Sequence, residues 1–282
     1  MKSIDCFIPW QSDEQAKGTL ECLKAEPNIN EIHFLQEESI GNTKTIKYIA
    51  EAACAPYTLI YTKYDTLQLG YHALTRWLTI AEDSKALMLY ADHYITLPNG
   101  ERKMMPLIDY QEGSIRDDFQ MGSLLLIKTE GLKRYVEQKN LHRYQFAALY
   151  DLRLFLSREK LPVHVQEFLY TEVESDTRLS GEKQFDYVDP KNRARQVELE
   201  RACTRHLRAI NAYLHGGEYD TIKFEEGNNF QVEATVVIPV RDRARTIADA
   251  IESVLKQKTT FEYNLMVVDN GSTDGTSEII EK

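Results

Sequence analysis

The stretch VVIPVRDRARTIADAIESVLKQKTTFEYNLMVVDNGSTDGT, residues 236–276, decides the fold. It continues an unbroken apolar run, 234–240, of the kind that forms a parallel strand buried on both faces. Thr246 and Asp249 predict a capping box at the start of a helix. The apolar stripe of that helix consists of Ile247, Ile251, Val254 and Leu255. A second apolar run ends at Asp269, so the stretch predicts a strand, a helix and a parallel strand.

The first 175 residues show the same alternation of strands and helices. Strand-like runs lie at 4–10, 31–35, 57–62, 86–91 and 122–127, and helical patterns lie at 13–25, 43–54, 70–82 and 144–159. This order predicts an α/β fold, with a mostly parallel sheet covered by helices on both faces. When IDCFIPW (4–10) is placed over ATVVIPV (234–240), Pro9 falls on Pro239. We therefore expect a tandem of one nearly complete copy and one short copy.

The segment between the two copies differs in composition from both. Residues 172–189 are acidic, and Asp189 followed by Pro190 predicts a helix start. The helix is predicted over 191–214 and is expected to stop at Gly216-Gly217. Its predicted apolar stripe consists of Leu199, Cys203, Leu207, Ile210 and Leu214. Its six basic side chains predict a solvated face that balances the acidic stretch, with anion binding as the alternative. The predicted domains are 1–175, an acidic linker with a basic helix over 176–231, and an incomplete second domain over 232–282.

Charge and cysteine content exclude several classes of protein. The 282 residues carry a formal charge of -10, which leaves no global positive field for nucleic acid. The four cysteines are far apart and form no CxxC pair, so neither a zinc site nor a disulfide framework is expected. No apolar run is long enough to span a membrane. We expect a cytoplasmic protein, with peripheral attachment to a membrane left open.

The motifs of 236–276 resemble the opening of family-2-type glycosyltransferases of the GT-A fold. The matching residues are Ile238-Pro239, Asp242-Arg243, Ser253-Val254-Leu255-Lys256-Gln257 and Asp269-Asn270-Gly271-Ser272-Thr273-Asp274-Gly275-Thr276. The resemblance implies a Rossmann-like GT-A domain, followed by a linker helix and a partial second βαβ unit. A nucleotidyltransferase would need a glycine-rich basic loop after the first strand, which Pro9-Trp10-Gln11-Ser12 does not supply.

The resemblance also implies a nucleotide-sugar site beyond the carboxyl ends of the two C-terminal strands. The residues that it assigns there are Pro239, Asp242, Arg243, Asp269, Asn270, Gly271 and Ser272. Asp269 would accept the ring N–H of a pyrimidine base, which indicates a UDP-type donor. Asp274 is expected to cap the following helix. For the arginines near Pro239, contact with a diphosphate and simple solvation are both open.

The N-terminal copy departs from the family at several positions. By resemblance Asp151 falls on the catalytic base, although an ordinary acid at a helix start is the equal alternative. Asp65 and Asp92 are the candidate ligands of a divalent ion, Mg²⁺ or Mn²⁺, yet Lys63 stands within the stretch that aligns with the metal motif. Gln36-Glu37 replaces the base-binding aspartate. The isolated histidines are interpreted as structural; they are His93, His142 and His164.

The resemblance implies an inverting, hexosyl-transferring enzyme that uses a nucleotide-sugar donor and a saccharide or glycolipid acceptor. Polysaccharide or glycoconjugate synthesis is the expected process. The short copy lacks the family's Asp-x-Asp and base positions, so the 282 residues are expected to be a fragment or inactive alone. Two alternatives stay open. The N-terminal copy could act through its own carboxylates, Asp65, Asp92 and Asp151, or the chain could be a GT-A-like interaction module without turnover.

Overall fold

A computed structural model describes residues 3–36, 39–173, 192–217 and 231–281 of the chain. The chain divides into two compact units, Met1–His215 and Gly216–Lys282, called unit 1 and unit 2 below. Some predictions fall largely or wholly outside the described residues, namely the acidic stretch 172–189, the helix start at Asp189-Pro190 and the connector 218–231.

The described part of unit 1 contains the strands and helices that the alternation predicts and four further elements, namely strands at Gln68–Leu69, Arg102–Met105 and Val163–Val173 and a helix at Thr129–Val136. The strands are β1 (Ile4–Trp10), β2 (Ile29–Gln36), β3 (Tyr57–Tyr61), β4 (Gln68–Leu69), β5 (Met88–Thr96), β6 (Arg102–Met105), β7 (Leu124–Lys128) and β8 (Val163–Val173). The helices are α1 (Asp13–Lys24), α2 (Thr43–Ala52), α3 (Ala73–Ser84), α4 (Thr129–Val136), α5 (Ala148–Ser157) and α6 (Arg193–Ala209).

The eight strands described in unit 1 form one sheet in which most strands point the same way. Its order is β2-β1-β3-β7-β5-β8-β4, and β6 pairs with β5. β1 is parallel to β2 and β3, and β5 is parallel to β8. Because β7 is antiparallel to both β3 and β5, these two strands share one direction. The predicted α/β class with a mostly parallel sheet is confirmed.

Helices cover both faces of this sheet. On one face Leu23 of α1 and Trp77 of α3 pack with Cys6 and Ile8 of β1. On the other face Phe7 packs in a core that includes residues of α2, α4 and α5. Consecutive side chains of β1 point to opposite faces, so an unbroken apolar run is what a strand buried on both faces requires.

Asp5 is a buried acid within β1 and ties the sheet to the chain that follows α2. Its Oδ2 accepts the backbone N–H groups of Cys54 and Ala55, at 2.6 and 2.7 Å, and its Oδ1 accepts the Asn30 amide. Burial alone would raise the pKa of Asp5, but these hydrogen bonds outweigh burial and lower it.

Helix α6 packs on α5 and is shorter than the sequence predicts. Leu199 and Cys203 lie against the core as expected, whereas Leu214 lies beyond the helix and is 89% exposed. Asn211 adopts a left-handed conformation with φ 57°, and the N–H of Ala212 donates to the carbonyl of Leu207. This Schellman-type arrangement ends the helix, so the predicted stop at Gly216-Gly217 is wrong.

Unit 2 contains β9 (Ala234–Val240), α7 (Ile247–Leu255), β10 (Tyr263–Asp269) and α8 (Thr276–Ile280). β9 and β10 pair in parallel, as predicted for a βαβ unit. The predicted burial of 234–240 on both faces is wrong, because β9 alternates between partly buried and exposed residues up to Pro239, and Val237 is 52% exposed.

Ile247 and Val254 are buried, but Leu255 is 64% exposed. The buried face of α7 is therefore narrower than the predicted apolar stripe. The predicted capping box is wrong: Thr246 makes no side-chain cap bond.

Candidate functional site

The loops that follow β9 and β10 lie side by side at the carboxyl edge of unit 2. Val240 and Asp269, the last residues of the two strands, are paired in register. The N–H of Asn270 donates to the carbonyl of Val240 at 2.8 Å. Parallel strands place their carboxyl ends at one edge, where open α/β sheets bind ligands. The structure thus brings the two predicted groups of binding residues together.

Asp269 is half-buried and is held by two serines. Its Oδ1 accepts the N–H and the hydroxyl of Ser272, at 3.1 and 2.5 Å, and its Oδ2 accepts the hydroxyl of Ser277. These hydrogen bonds lower the pKa of Asp269, so the group is a carboxylate at neutral pH. Oδ2 has one protein donor, and a carboxylate oxygen can accept two hydrogen bonds. Capacity for a ligand N–H therefore remains.

Asp242 joins the two loops. It adopts a left-handed conformation with φ 50°, its N–H donates to Ser272 Oγ at 2.9 Å, and its Oδ1 accepts the N–H of Thr273 at 2.8 Å. Ser272 thus contacts Asp242 as well as Asp269. The side chain of Arg243 is exposed and donates to the carbonyl of Asp242 at 3.0 Å. The hydrogen bonds of Asp242 fix the shape of the edge, and the guanidinium of Arg243 is exposed beside it.

The remaining predicted residues of unit 2 are exposed around this edge. Gly271 has φ 67°, and a Cβ added there would meet nothing within 4 Å. Pro239 and Asn270 are exposed. Asp274 accepts the N–H groups of Ala244 and Thr276, at 3.0 and 3.1 Å, and so connects the two loops at the start of α8. Its contacts are structural, in line with the predicted capping role.

Unit 1 has the same strand pairing at its own carboxyl edge. Trp10 pairs with Gln36 just as Val240 pairs with Asp269. Gln36 therefore occupies the strand position that corresponds to Asp269, as the replacement of the base-binding aspartate by Gln36-Glu37 predicts. Glu37 lies outside the described residues. An amide cannot supply the negative charge of a carboxylate, so this edge differs chemically from that of unit 2.

At the predicted metal position of unit 1 the structure places an ion pair within the protein. Lys63 follows β3, and its Nζ lies 2.5 Å from Oε1 of the buried Glu172 on β8. Glu172 Oε2 also accepts the hydroxyl of Ser123, and Oε1 lies 3.5 Å from His93 Nε2. Burial alone would raise the pKa of Glu172, but its three partners outweigh burial and hold it at about 2.

Asp92, the second predicted metal ligand, is already engaged. Its Oδ1 accepts the N–H of Leu107 at 2.7 Å and lies 2.8 Å from His164 Nε2. The other ring nitrogen of His164 lies 2.7 Å from Asp109. Among the described residues no group of three or more acid, histidine or cysteine side chains is placed to hold a metal ion. Because the ammonium group of Lys63 lies beside β3, the side chains at the predicted metal position of unit 1 do not fit a divalent cation.

Asp151, the predicted base, lies in the core at the start of α5 with no exposed surface. Its Oδ2 accepts the Tyr135 hydroxyl at 2.9 Å and lies 3.2 Å from Arg205 Nη1. Burial raises the pKa of Asp151, and Arg205 and Tyr135 offset part of that rise. An acceptor hydroxyl could reach this carboxylate only if its partners moved. The geometry gives the predicted role no support.

Sequence reasoning missed two residues of unit 1. Glu172 was assigned to the acidic boundary 172–189, yet it lies in β8, and the apolar FLY (168–170) just before it was the available signal. Arg153 stands among apolar residues of α5, where an arginine is unexpected. The interpretation of His93 and His164 as isolated residues also changes, because each lies within contact distance of a carboxylate.

Comparisons with known proteins give one family match, to part of unit 2, and a likeness to solved structures. Residues 235–282 match the model of Glycosyl transferase family 2. Similar solved structures include S. aureus TarS 1–349 in complex with UDP-GlcNAc, which is 11% identical, with a TM-score of 0.48 and 76% of this chain and 68% of that chain covered. A second structure of TarS 1–349 is also 11% identical, with a TM-score of 0.47 and coverages of 76% and 67%.

No curated protein matches the sequence significantly. None of the helices in the described part of the chain is long and apolar enough to cross a membrane. The family match falls on the βαβ unit whose loops hold Asp242 and Asp269. Unit 2, from residue 235, is therefore the part of the chain that is similar to Glycosyl transferase family 2.

Proposed function

We propose that the protein is a glycosyltransferase that takes a hexosyl group from a nucleotide sugar, a uridine diphosphate sugar. The acceptor is a hydroxyl of a saccharide or glycolipid, in the synthesis of a polysaccharide or glycoconjugate. The observation that carries the proposal is the joined pair of loops at the carboxyl edge of unit 2. The family match of residues 235–282 to Glycosyl transferase family 2 supports the same reading.

In this proposal unit 2 supplies the nucleotide site. Asp269 accepts the ring N–H of the uracil, and Gly271 lets the ligand approach the backbone closely. Asp242 and Ser272 hold the two loops at their spacing. The exposed Arg243 contributes positive charge toward the diphosphate. Pro239 and Asn270 complete the proposed site.

In the proposed chemistry the acceptor hydroxyl oxygen attacks the anomeric carbon directly and forms the new glycosidic bond. The bond from that carbon to the diphosphate oxygen breaks, UDP leaves, and the configuration is inverted. A base takes the proton of the hydroxyl during the attack. Asp151 stays a prediction for the base of a separate activity of unit 1, and that role requires Arg205 to leave the carboxylate. Asp65 and Asp92 stay predictions as ligands of a divalent cation, and the ion pair of Lys63 with Glu172 argues against such a site in unit 1.

A specific observation also favours a second function for unit 1. Lys63 and Glu172 neutralise each other at the position predicted for the metal, and Asp151 is closed off. Unit 1 would then bind an acceptor or a partner without catalysing transfer. The alternative that the sequence leaves open goes further, since in it the whole chain is a GT-A-like interaction module without turnover.

Calorimetric titration of the full chain with UDP tests the nucleotide site. We expect the Asp269→Ala variant to lose binding by about tenfold or more, since a hydrogen bond to a charged group is lost. Asp249→Asn is the matched control, because Asp249 is an exposed acid of unit 2 outside the two loops. Equal UDP affinity in the wild type and in Asp269→Ala would refute the site. Release of UDP from a UDP-sugar in the presence of saccharide acceptors then separates an enzyme from a binding module.

A further inference from the structure

Unit 1 contains a cleft of about 440 Å³ that no part of the proposed function uses. It lies beside Thr62 and Gly122, next to the ends of β3 and β7, and is bounded by side chains of α5 and α6. Its lining combines apolar side chains with polar and charged ones. Small-molecule sites have this size, and polar groups beside apolar walls orient the ligand in them.

Arg153 lines the cleft and is buried, with 5% of its surface exposed. Its Nη2 donates to the carbonyl of Arg116 at 2.5 Å. Its Nε is buried and has no hydrogen-bond partner among the described residues. Within that same part of the chain no carboxylate lies at ion-pair distance from Arg153. A guanidinium of this kind is charged at any working pH, so it is a buried cation with no described carboxylate in contact, and Asp117 and Asp118 act on it from a longer distance.

Aromatic rings give the guanidinium part of the stabilisation that water would give. Its central carbon lies 4.9 Å from the ring centre of Tyr150, 5.7 Å from that of Phe119 and 5.8 Å from that of Tyr110. Each such contact stabilises the charge by less than the cost of burying it unpaired. Burial accordingly lowers the pKa of Arg153. A bound anion would supply the stabilisation of the Arg153 charge that the aromatic rings do not give.

Two further charged side chains line the same cleft. Arg195 of α6 is exposed at its rim and adds a second guanidinium. Asp117 is also exposed at the rim and is the one acid among the lining residues described. The lining thus carries two positive charges against one negative charge. Guanidinium groups bind phosphate oxygens through paired N–H donors.

We propose that this cleft binds a small molecule bearing a phosphate group, which accepts hydrogen bonds from Arg153 and Arg195 while the rest of the molecule packs on the apolar lining. The site lies wholly within unit 1 and does not depend on nucleotide binding by unit 2. The phosphate could belong to a nucleotide or to a phosphorylated sugar. These sources share the recognised group and are separated by the choice of probe.

The test is calorimetric titration of the full chain carrying Asp269→Ala, so that the proposed nucleotide site of unit 2 is removed. The probes are glucose 6-phosphate, uridine monophosphate and, as the uncharged control, glucose. We expect at least one phosphate probe to bind and glucose to show no binding. Arg153→Gln should weaken that binding by about tenfold or more, and Arg195→Ala should weaken it by a few-fold.

Two more variants separate a binding role from a structural one. Arg201→Ala removes another exposed arginine of α6 that does not line the cleft, and it should leave affinity unchanged. Asp117→Asn removes the rim acid and should tighten phosphate binding, an effect that a purely structural role for Arg153 does not produce. Should no phosphate probe bind, or should Arg195→Ala and Asp117→Asn leave affinity unchanged, the inference is wrong. The proposed function fails separately, when Asp269→Ala leaves UDP binding intact.

Discussion

The Nζ atom of Lys63 lies 2.5 Å from Oε1 of Glu172, which joins the loop after β3 to β8 across 109 residues of sequence. Glu172 is 3% exposed and Lys63 is partly exposed. Removing one partner of a buried pair leaves the other charge without compensation, which destabilises more than the pair stabilises. The ion pair at the carboxyl edge of unit 1 therefore contributes to the stability of that unit.

We expect Glu172→Gln to lower the free energy of unfolding by about 3 kcal/mol, measured by urea denaturation. The reason is the loss of a carboxylate that accepts from Lys63 and Ser123. The control is Glu130→Gln, which breaks an exposed pair with Lys128 and should change stability by less than about 0.5 kcal/mol. Equal effects of the two substitutions would contradict the buried role of Glu172.

The same carboxylate predicts a pH dependence of stability. The pKa of Glu172 is about 2 in the folded protein, against a reference value of 4.5 for the unfolded chain. A depressed pKa contributes stability that is complete above the unfolded value and is lost as pH falls from about 4.5 to about 2. Thermal melting over this range should show the loss in the wild type. The loss should be smaller in Glu172→Gln, and parallel curves for the two proteins would refute the assignment.

Asp151 and Arg205 should behave as a coupled pair. We expect Arg205→Met to destabilise by about 3–5 kcal/mol, because Asp151 is then a buried charge with Tyr135 as its one hydrogen-bond donor among the described residues. The double variant with Asp151→Asn should recover much of that loss in urea denaturation. Arg201→Met on the same helix is the exposed control. Additive effects of the two substitutions would show that the pair is not coupled.

Gly122 predicts a steric effect that can be separated from backbone strain. Gly122 has φ 70°, and an added Cβ would lie 2.1 Å from Tyr170 Oη. Gly113 has φ 85°, and an added Cβ there meets nothing within 4 Å. We expect Gly113→Ala to cost about 1 kcal/mol, and Gly122→Ala to cost at least about 2 kcal/mol more. Similar melting temperatures for the two variants would argue against close packing at Gly122.

Manganese binding measured by electron paramagnetic resonance tests the metal prediction for Asp65 and Asp92. Because the donor set of unit 1 does not fit a divalent cation, we expect Asp65→Asn to leave Mn²⁺ affinity of the full chain within about twofold. Asp92→Asn should likewise leave affinity unchanged while lowering stability, since Asp92 accepts from Leu107. A tenfold loss of affinity in either variant would establish the metal site after all.

The sequence by itself determined the alternation of the main strands and helices in both units, but β4, β6, β8 and α4 lie outside that predicted alternation. The apolar run 4–10 is buried on both faces, and that requirement places helices on each side of the parallel sheet of unit 1, whereas every second residue of the run 234–240 is exposed. The sequence also determined that the loops after β9 and β10 meet, since carboxyl ends of parallel strands share one edge. The tandem relationship of the two units stays a prediction, supported by the common pairing of Trp10 with Gln36 and Val240 with Asp269.

Only the tertiary structure decided how the charged groups of unit 1 are used. Four side chains suggest solvated or catalytic groups when the sequence is considered alone, because their partners lie 15 to 109 residues away. They are those of Lys63, Asp92, Asp151 and Glu172. The burial and pairing of a charged side chain depend on which distant segments the sheet brings together. The local sequence pattern does not indicate which segments these are. For the same reason the unpaired guanidinium of Arg153 becomes visible only when the surroundings of α5 are known.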